Sequence, residues 1–201
     1  MTEIEAQDWV RQRVDALAFD RMISFVDMVV TENSRQNLIS PATIPAIWDR
    51  HVVDSLQLIE MAGGAAGRWL DIGTGGGFPG MVLAIAGCSP IMMVEPRRKR
   101  ADFLAESIER LSLTDAKIAA SKVENIEWTA DVITARAVAS VEKLLIAAAH
   151  CATKTTRWLL PRGTVDASSL PALCARHQLV FHVEQSLTRS DSFILVLEPR
   201  A

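Results

Sequence analysis

The sequence predicts an α/β protein with a helical N-terminal extension, and three observations predict this fold. Apolar runs of strand length alternate with amphipathic helical segments from Arg68 onward. A glycine-rich turn joins the first of these strands to the helix that follows it. Residues 1–66 show apolar side chains at helical spacing only. We therefore expect a helical extension over residues 1–66, packed on a sheet domain over residues 67–201.

The composition allows one α/β domain with a sizeable core, because 49% of the 201 residues are hydrophobic and the mean hydropathy is +0.18. Apolar runs stay below the roughly 18 residues of a membrane span, and the acidic N-terminus lacks a signal-peptide pattern. We therefore expect a cytoplasmic protein without membrane association. The net charge of −3 argues against binding nucleic acid through bulk charge, so such a substrate would need a local basic patch.

The cysteines and histidines do not predict a metal site. Cys88, Cys151 and Cys174 are odd in number and scattered, which is typical of reduced core thiols rather than of disulfides. The four histidines are scattered as well.

The N-terminal extension is predicted from its helical periodicity. Apolar residues recur at helical spacing over residues 9–30, and the polar segment 31–40 is predicted to be a loop. A second amphipathic helix is expected over residues 47–61, ending near Gly63 and Gly64.

From Arg68 the pattern predicts about seven strands with helices between them. The predicted strands are 68–72, 90–95, 116–120, 131–135, 155–160, 178–184 and 192–197. The predicted helices lie near 79–87, 97–111, 141–151 and 167–176. The polar loop 185–191 is too short for a crossover helix, so the last two strands should form an antiparallel hairpin after five parallel strands.

The most informative stretch is W-L-D-I-G-T-G-G-G-F-P-G, residues 69–80. A buried strand ends at Gly73. Gly75, Gly76 and Gly77 permit positive φ and close approach of the backbone to a ligand. Pro79 suits the first turn of a helix. The loop should therefore lie at the carboxyl end of the first parallel strand, where open α/β sheets bind ligands.

An acidic residue indicates which ligand this loop binds. Gly75, Gly77 and Gly80 can be matched to a dinucleotide fingerprint, but that match alone is weak. Asp71, two positions before Gly73, looks like the first motif of S-adenosylmethionine (AdoMet)-dependent methyltransferases. AdoMet carries an ammonium and a sulfonium, which a carboxylate attracts, whereas a pyrophosphate would be repelled.

A second acidic residue supports a nucleoside site. Glu95 ends the apolar run 91–94, 22 positions after Gly73. A carboxylate at the end of the second strand can accept from both ribose hydroxyls. This feature fits nucleotides in general, including NAD, so it does not name the cofactor by itself.

Motifs along most of the chain resemble those of one family. The matching segments are N-L-I-S from Asn37, R-H-V-V-D-S from Arg50, D-I-G-T-G-G-G-F-P-G from Asp71, E-P-R-R-K-R-A-D-F-L from Glu95, V-E at Val123 and T-A-R-A-V-A over residues 134–139. Together they resemble the RsmG family, formerly called glucose-inhibited division protein B. The family methylates N7 of a guanine in bacterial small-subunit (16S) ribosomal RNA. The resemblance runs from about Asn37 to Gly163.

The resemblance implies a fold, a cofactor and a partner. The fold is the class I AdoMet-dependent methyltransferase (Rossmann-like) sheet, the cofactor is S-adenosyl-L-methionine, and the partner is small-subunit ribosomal RNA. The methyl group would pass in line to N7 without a covalent enzyme intermediate. We expect a monomer. Arg162 stands where the family often has lysine, which changes the hydrogen-bond geometry of any RNA contact there.

The resemblance and the residues together predict the site. The family pattern assigns cofactor contacts to Gly73, Phe78, Val123, Glu124 and Arg136, and the residues themselves add Asp71, Gly75 and Glu95. Asp71 is expected to hold the loop or to meet the ammonium through water. Val123 is expected to contact adenine. Glu124 either accepts from the adenine amino group or braces the following helix.

Arg136, after the fourth strand, is the predicted catalytic residue. It can grip guanine O6, a phosphate or the methionine carboxylate, or it can form a structural ion pair. Because the chain has no tyrosine, it cannot carry the N-P-P-Y motif of many amino-group methyltransferases, and none of its cysteines follows a proline as in pyrimidine C5 enzymes. Guanine N7 has a free lone pair, so its methylation needs positioning rather than a nucleophile or an obligatory base.

Two further groups of residues are interpreted with open alternatives. Asn37, Arg50, His51 and Asp54 are hypothesised to face the site and to close over cofactor or RNA, although His51 can instead be a core histidine. The basic run 97–100 is either a solvated helix face or a phosphate contact patch.

Three other functions compete with this interpretation. A class I methyltransferase for a protein or a small molecule shares the same cofactor motifs. An NAD-dependent oxidoreductase also uses a glycine-rich loop, but Asp71 disfavours it. A non-catalytic ribosome-assembly binder would keep the fold, but the intact loop with Glu95 and Arg136 argues against loss of the chemistry.

Overall fold

The computed structural model describes residues 1–136, 140–163, 168 and 170–200. In chain order the strands are β1 (Trp69–Ile72), β2 (Ile91–Val94), β3 (Ala116–Ala119), β4 (Ala130–Thr134), β5 (Ala152–Arg162), β6 (Leu179–Gln185) and β7 (Phe193–Pro199). They form one sheet in the order β3-β2-β1-β4-β5-β7-β6. Strands β1 to β5 pair in parallel, and β7 runs antiparallel between β5 and β6. The predicted sheet with its C-terminal antiparallel pair is confirmed.

Strand β1 lies in the interior of the sheet and is buried on both faces. It pairs with β2 on one side and with β4 on the other. Trp69 packs into the core on one face, whereas Leu70 and Ile72 pack into the core on the other. Continuous burial of this kind is typical of parallel strands that helices cover on both sides.

The helices are divided between the two faces of the sheet. In chain order they are α1 (Glu3–Arg11), α2 (Ala16–Gln36), α3 (Asp54–Leu56), α4 (Leu58–Ala62), α5 (Gly80–Ile85), α6 (Arg98–Arg110), α7 (Val141–Ala147) and α8 (Leu170–Arg176). Buried side chains of α1, α2, α5 and α6 join one core cluster, and those of α7 and α8 join the other. Residues 137–139 of the T-A-R-A-V-A motif, and residues 167 and 169 at the start of the predicted last helix, lie outside the described residues.

The predicted loop at residues 31–40 is wrong over its first part, because α2 continues to Gln36. Asn33 shows how a polar side chain is accommodated in this last part of the helix. Asn33 is buried, and its side-chain oxygen accepts from the backbone N–H of Ile39 at 2.8 Å. Asn37 then ends the helix in the left-handed conformation. The polarity that predicted a loop therefore belongs to a capped helix end.

The predicted single helix at residues 47–61 is also wrong, because this segment changes its winding several times. A 3₁₀ turn over Pro41–Ala46 leads into a π-helical turn over Trp48–Val53, and α3 and α4 follow. The Glu3 carboxylate of α1 accepts from the backbone N–H groups of Trp48 and Asp49 at 3.1 and 3.0 Å. π-helical turns of this kind often lie at functional sites.

The boundary between extension and sheet domain at residues 66 and 67 stays a prediction. The extension packs tightly on the sheet domain, since α1 and α2 share one core cluster with β1, β2 and α5.

This shared core predicts the effect of a single truncation. Phe25 of α2 is fully buried, and its ring lies 5.4 Å from the ring of Phe78 in the glycine-rich loop. We expect Phe25→Ala to lower the free energy of unfolding by about 3–5 kcal/mol, because it leaves a cavity between the extension and the loop. Urea denaturation measures this change.

The matched control lies on the same helix. Leu17 is 60% exposed, so Leu17→Ala should change the free energy of unfolding by less than about 0.5 kcal/mol. Equal losses for the two variants would contradict the shared core.

Candidate active site

The loop after β1 turns on glycines with left-handed backbone. Gly73, Gly75 and Gly77 have φ of 69°, 61° and 98°, values that L-residues with a Cβ rarely adopt. Gly76 is favoured for a different reason, because a Cβ there would lie only 3.0 Å from the backbone oxygen of Leu38. The turn can therefore pack against the N-terminal extension while its backbone stays open to a ligand.

Asp71 holds this loop from below. Its carboxylate is fully buried and accepts from the backbone N–H of Gly80 at 2.9 Å and from the Thr134 hydroxyl at 2.8 Å. A Cβ at residue 80 would lie 2.6 Å from a carboxylate oxygen, so only glycine allows α5 to approach this closely. Burial raises the pKa of the Asp71 carboxyl to about 6, although the hydrogen bonds oppose the shift. Of the two roles expected for Asp71, this geometry matches that of holding the loop.

Glu95 binds the same loop from the neighbouring strand. One carboxylate oxygen accepts from the backbone N–H of Gly75 at 3.0 Å, and the other from the backbone N–H of Arg97 at 2.9 Å. Each oxygen keeps a further lone pair, so Glu95 can still accept from ribose hydroxyls at the end of β2.

A cavity of about 370 Å³, here called the loop cavity, opens above the glycine turn. It is lined by Leu38, Ile39, Gly73, Thr74, Gly75, Gly76, Phe78, Glu95, Pro96, Arg97, Arg100 and Arg136. Five of the eight predicted cofactor residues therefore lie around one cavity.

A second and more apolar cavity of about 770 Å³ continues from the first, since both are lined by Gly73 and Pro96. Val123 and Glu124 lie in its wall, on a 3₁₀ turn over Val123–Asn125. Val123 is buried, whereas Glu124 is exposed. A polar cavity with a carboxylate that leads into an apolar one suits a ligand that joins a charged amino acid to a nucleoside. The residues present therefore fit AdoMet.

Arg136 lies at the junction of several elements. Its guanidinium donates to an Asp54 carboxylate oxygen at 3.2 Å and to the Arg50 carbonyl oxygen at 3.4 Å. It also lies over the Phe78 ring, 5.6 Å from the centroid. The expected structural ion pair is therefore present, and Arg136 lines the loop cavity as well.

His51 is neutral in this arrangement. Its Nδ1 accepts from the Arg136 guanidinium at 2.9 Å, and its Nε2 lies 2.8 Å from the Thr43 hydroxyl. Burial, together with the positive charges of Arg136 and Arg50, lowers the pKa of His51 to about 3. The ring also packs on Phe78, with 4.9 Å between centroids. His51 is thus a partly buried ring that orients Arg136.

Asp54 joins this cluster to the loop between β6 and β7. One carboxylate oxygen binds Arg136, and the other accepts from the hydroxyls of Ser186 and Thr188 at 3.2 and 3.3 Å. Gln57 donates to the same oxygen and accepts from the backbone N–H of Leu187. The sequence carried no signal for Ser186 or Thr188, because these contacts span more than 130 residues.

A third cavity, here called the arginine cavity, has a volume of about 560 Å³. It is lined by Arg50, His51, Asp54, Arg136, Pro161, Arg162, Gly163, Thr188, Arg189, Asp191, Ser192 and Phe193. Arg136 lies in the walls of both the loop cavity and the arginine cavity.

The side chains of the basic run 97–100 have different surroundings. The side chain of Arg98 pairs with Asp102 on the exposed face of α6. Arg100 donates to the Asn37 carbonyl oxygen at 3.1 Å, and both Arg97 and Arg100 line the loop cavity. Asn37 therefore joins the site through its backbone, and Arg98 and Lys99 remain as the exposed residues of the run that do not line the loop cavity.

The sheet order, the glycine turn after β1 and the acidic residue after β2 define a class I AdoMet-dependent methyltransferase. An AdoMet-dependent methyltransferase of Aquifex aeolicus has the same fold, with a TM-score of 0.60 at 13% identity over 79% of this chain and 97% of that chain. A precorrin-6y C5,15-methyltransferase of Geobacter metallireducens gives a TM-score of 0.55 at 12% identity over 83% and 92% of the two chains.

The chain belongs to the family of rRNA small subunit methyltransferase G, whose model matches residues 18–191. It is 41% identical to ribosomal RNA small subunit methyltransferase G of Erythrobacter litoralis, over 100% of this chain and 98% of the relative. The protein of that name from Novosphingobium aromaticivorans is also 41% identical, over 98% and 88% of the two chains. The predicted family is confirmed, and the protein is an AdoMet-dependent rRNA methyltransferase.

Among the described residues, no helix is both long enough and apolar enough to cross a bilayer.

The buried carboxylate predicts a pH dependence of stability. Because the pKa of Asp71 lies at about 6 in the folded protein, against an ordinary 3.8, the folded state holds this proton more tightly than the unfolded state. Ionisation of Asp71 therefore lowers stability as the pH rises from about 4 to about 6, and the loss is complete above that interval. Asp71→Asn removes the ionisation. Between pH 4 and pH 6, the free energy of unfolding of wild type relative to that of the variant should therefore fall by roughly 3 kcal/mol.

Urea denaturation of both proteins between pH 4 and pH 7.5 measures this difference. A wild-type profile that runs parallel to the variant profile would show that the ionisation of Asp71 is not coupled to folding.

Proposed function

We propose that this protein transfers a methyl group from AdoMet to N7 of a guanine in small-subunit ribosomal RNA, without a covalent enzyme intermediate. The observation that carries the proposal is the position of Arg136. It joins the cavity that fits the cofactor to a separate cavity rich in arginine. A group placed there can orient a substrate atom toward the transferred methyl.

The cofactor contacts are proposed for the eight residues predicted from the sequence. They are Gly73, Phe78, Val123, Glu124, Arg136, Asp71, Gly75 and Glu95. Seven of them line the loop cavity or the apolar cavity, and Asp71 acts from beneath by holding the loop. AdoMet supplies a methyl group activated by the positive sulfonium. Glu95 would orient the ribose, and the apolar cavity beside Val123 would exclude water around the adenine.

The chemistry asked of the protein is mainly positioning. N7 carries a lone pair and loses no proton on methylation, so a nucleophile and an obligatory base are not needed. Arg136 can donate to guanine O6, which lies on the same base edge as N7. The His51 and Asp54 contacts fix its guanidinium, which supports a positioning role at the reaction centre.

The substrate guanine must be accessible, so an unstacked or single-stranded position in the RNA is expected.

We further propose that the protein acts in the cytoplasm as a monomer without a metal. Its two parts are the helical extension over residues 1–66 and the methyltransferase domain over residues 67–201.

Transfer of a labelled methyl group tests the reaction. AdoMet with a labelled methyl is offered with small-subunit ribosomal RNA from cells that lack the protein, and the digested product is analysed by mass. We expect label in 7-methylguanosine. Arg136→Ala should lower kcat/KM by about 100-fold or more, because the reacting atoms lose their alignment.

Arg157→Ala is the matched control for this experiment. Arg157 is also partly buried and ion-paired, with Glu198, but it lies outside the three cavities. Its loss should leave kcat/KM close to that of wild type. Absence of label from the RNA, and from assembled small subunits offered in its place, would refute the RNA assignment if AdoMet still binds in calorimetry, and would favour a protein or small-molecule substrate.

The exposed part of the basic run gives a separate prediction. Arg97 lines the loop cavity, so the pair to reverse is Arg98→Glu with Lys99→Glu. We expect weaker RNA binding with unchanged AdoMet affinity, because two phosphate contacts are lost. Binding of the RNA is measured by filter retention, and AdoMet affinity by calorimetry.

The control pair for this reversal is Arg110→Glu with Lys117→Glu, which changes the charge equally at the other end of α6 and on β3. If both pairs weaken RNA binding to the same extent, the run acts only through net charge and is not a contact patch.

A further inference from the structure

We propose that the arginine cavity receives the target nucleotide of the RNA and that Arg50 contacts its phosphate. This inference rests on the proposed function and adds to it a place for the substrate. The cofactor motifs predict neither the arginine cavity nor the phosphate contact. Apart from Arg136, the predicted cofactor residues do not line the arginine cavity.

The position of the cavity suits a substrate rather than the cofactor. Arg136 is the wall that it shares with the loop cavity, and its remaining walls come from the N-terminal extension, the end of β5 and the loop before β7. A base held here would lie next to the guanidinium at which the two cavities meet. The volume of about 560 Å³ lies within the usual range for pockets that hold small organic groups.

The charge of the cavity suits an anion. Among the described residues that line it, four are arginines, at positions 50, 136, 162 and 189, and two are carboxylates, Asp54 and Asp191. Both carboxylates are already paired, Asp54 with Arg136 and Asp191 with Arg189. Counted over these described lining residues, the charge is positive, within a chain of net charge −3.

Arg50 is an arginine of this cavity whose charge is only partly compensated, because Asp191, on which its charge also acts, is already paired with Arg189. Over the described part of the chain, its guanidinium makes no hydrogen bond and no ion pair. It is close enough to Arg136 and His51 that its positive charge lowers the pKa of both. Since His51 stays neutral, it adds no charge. A phosphate oxygen beside Arg50 would relieve this like-charge repulsion.

The methionine carboxylate of the cofactor is a less suitable anion for Arg50. Arg50 does not line the loop cavity, whereas Arg97, Arg100 and Arg136 do. The cofactor carboxylate therefore has three arginines within its own cavity, and Arg50 faces only the substrate side.

The cavity also offers a surface for a base and a rigid wall. The partly exposed ring of Phe193 lines it, and unstacked RNA bases commonly pack on aromatic rings. Asp54 ties the loop that carries Ser186 and Thr188 to Arg136. The wall is thus held in place before the RNA binds, which lowers the cost of ordering it on binding.

The salt dependence of RNA binding tests the phosphate contact. The probe is a small-subunit ribosomal RNA fragment that wild type methylates, titrated at several salt concentrations. Arg50→Gln should reduce the slope of log K against log salt by about 0.7–0.9, the value for one phosphate contact. It should raise KM for RNA roughly tenfold or more with kcat little changed, because a charged contact common to ground and transition states is lost.

Two further variants separate charge from geometry. Arg50→Lys should keep the salt slope, because the charge remains, and should bind RNA more weakly than wild type, because the two-pronged guanidinium is lost. Arg21→Gln removes a half-buried arginine near the opposite edge of the sheet and should leave both slope and KM unchanged.

The results distinguish this inference from the function on which it rests. If wild type methylates the RNA and Arg50→Gln keeps the wild-type slope and KM, the nucleotide assignment of the cavity is wrong while the function stands. If Arg50→Gln weakens AdoMet binding in calorimetry, Arg50 serves the cofactor instead. If wild type transfers no methyl group to any RNA, both proposals fail.

Discussion

The structure depends on one buried carboxylate at the centre of the sheet. Asp71 accepts from the backbone N–H of Gly80 and from the Thr134 hydroxyl, so it links β1, the start of α5 and the end of β4. An unsatisfied charge in this position would be costly, and its partners are therefore closely constrained. Glycine at residue 80 is one of those constraints. This link constrains the turn of the cofactor loop. It also constrains the position of Arg136, which lies two residues after the end of β4.

A second polar cluster attaches the N-terminal extension to the reaction centre. Asp54 and His51 each accept a hydrogen bond from Arg136, and Asp54 extends the cluster to the loop before β7. The extension therefore does more than cover the sheet, because it supplies the groups that orient the arginine between cofactor and substrate. The π-helical turn Trp48–Val53, with its wider winding, carries His51 in this cluster.

Sequence patterns predicted the middle of the sheet well because strands such as β1 and β2 carry their own signal. Parallel strands buried on both faces are apolar along their length, and the glycine turn is local. The same reasoning failed at residues 31–40, where polarity predicted a loop. There Asn33 is buried and binds the backbone of Ile39, a contact that polarity alone does not reveal. It failed again at residues 47–61, where Glu3 caps the backbone of Trp48 from another helix.

The sequence by itself determined the fold class, the family, the cofactor loop and the acidic residues Asp71 and Glu95, because each of these is written in neighbouring residues. Only the tertiary structure decided what surrounds Arg136 and where the substrate side of the site lies. The arginine cavity is assembled from the extension, β5 and the loop before β7, and the extension lies more than 100 residues from the other two segments. The charge of such a cavity depends on which side chains are paired across these distances, and pairing of this kind leaves no periodic or local pattern in the chain.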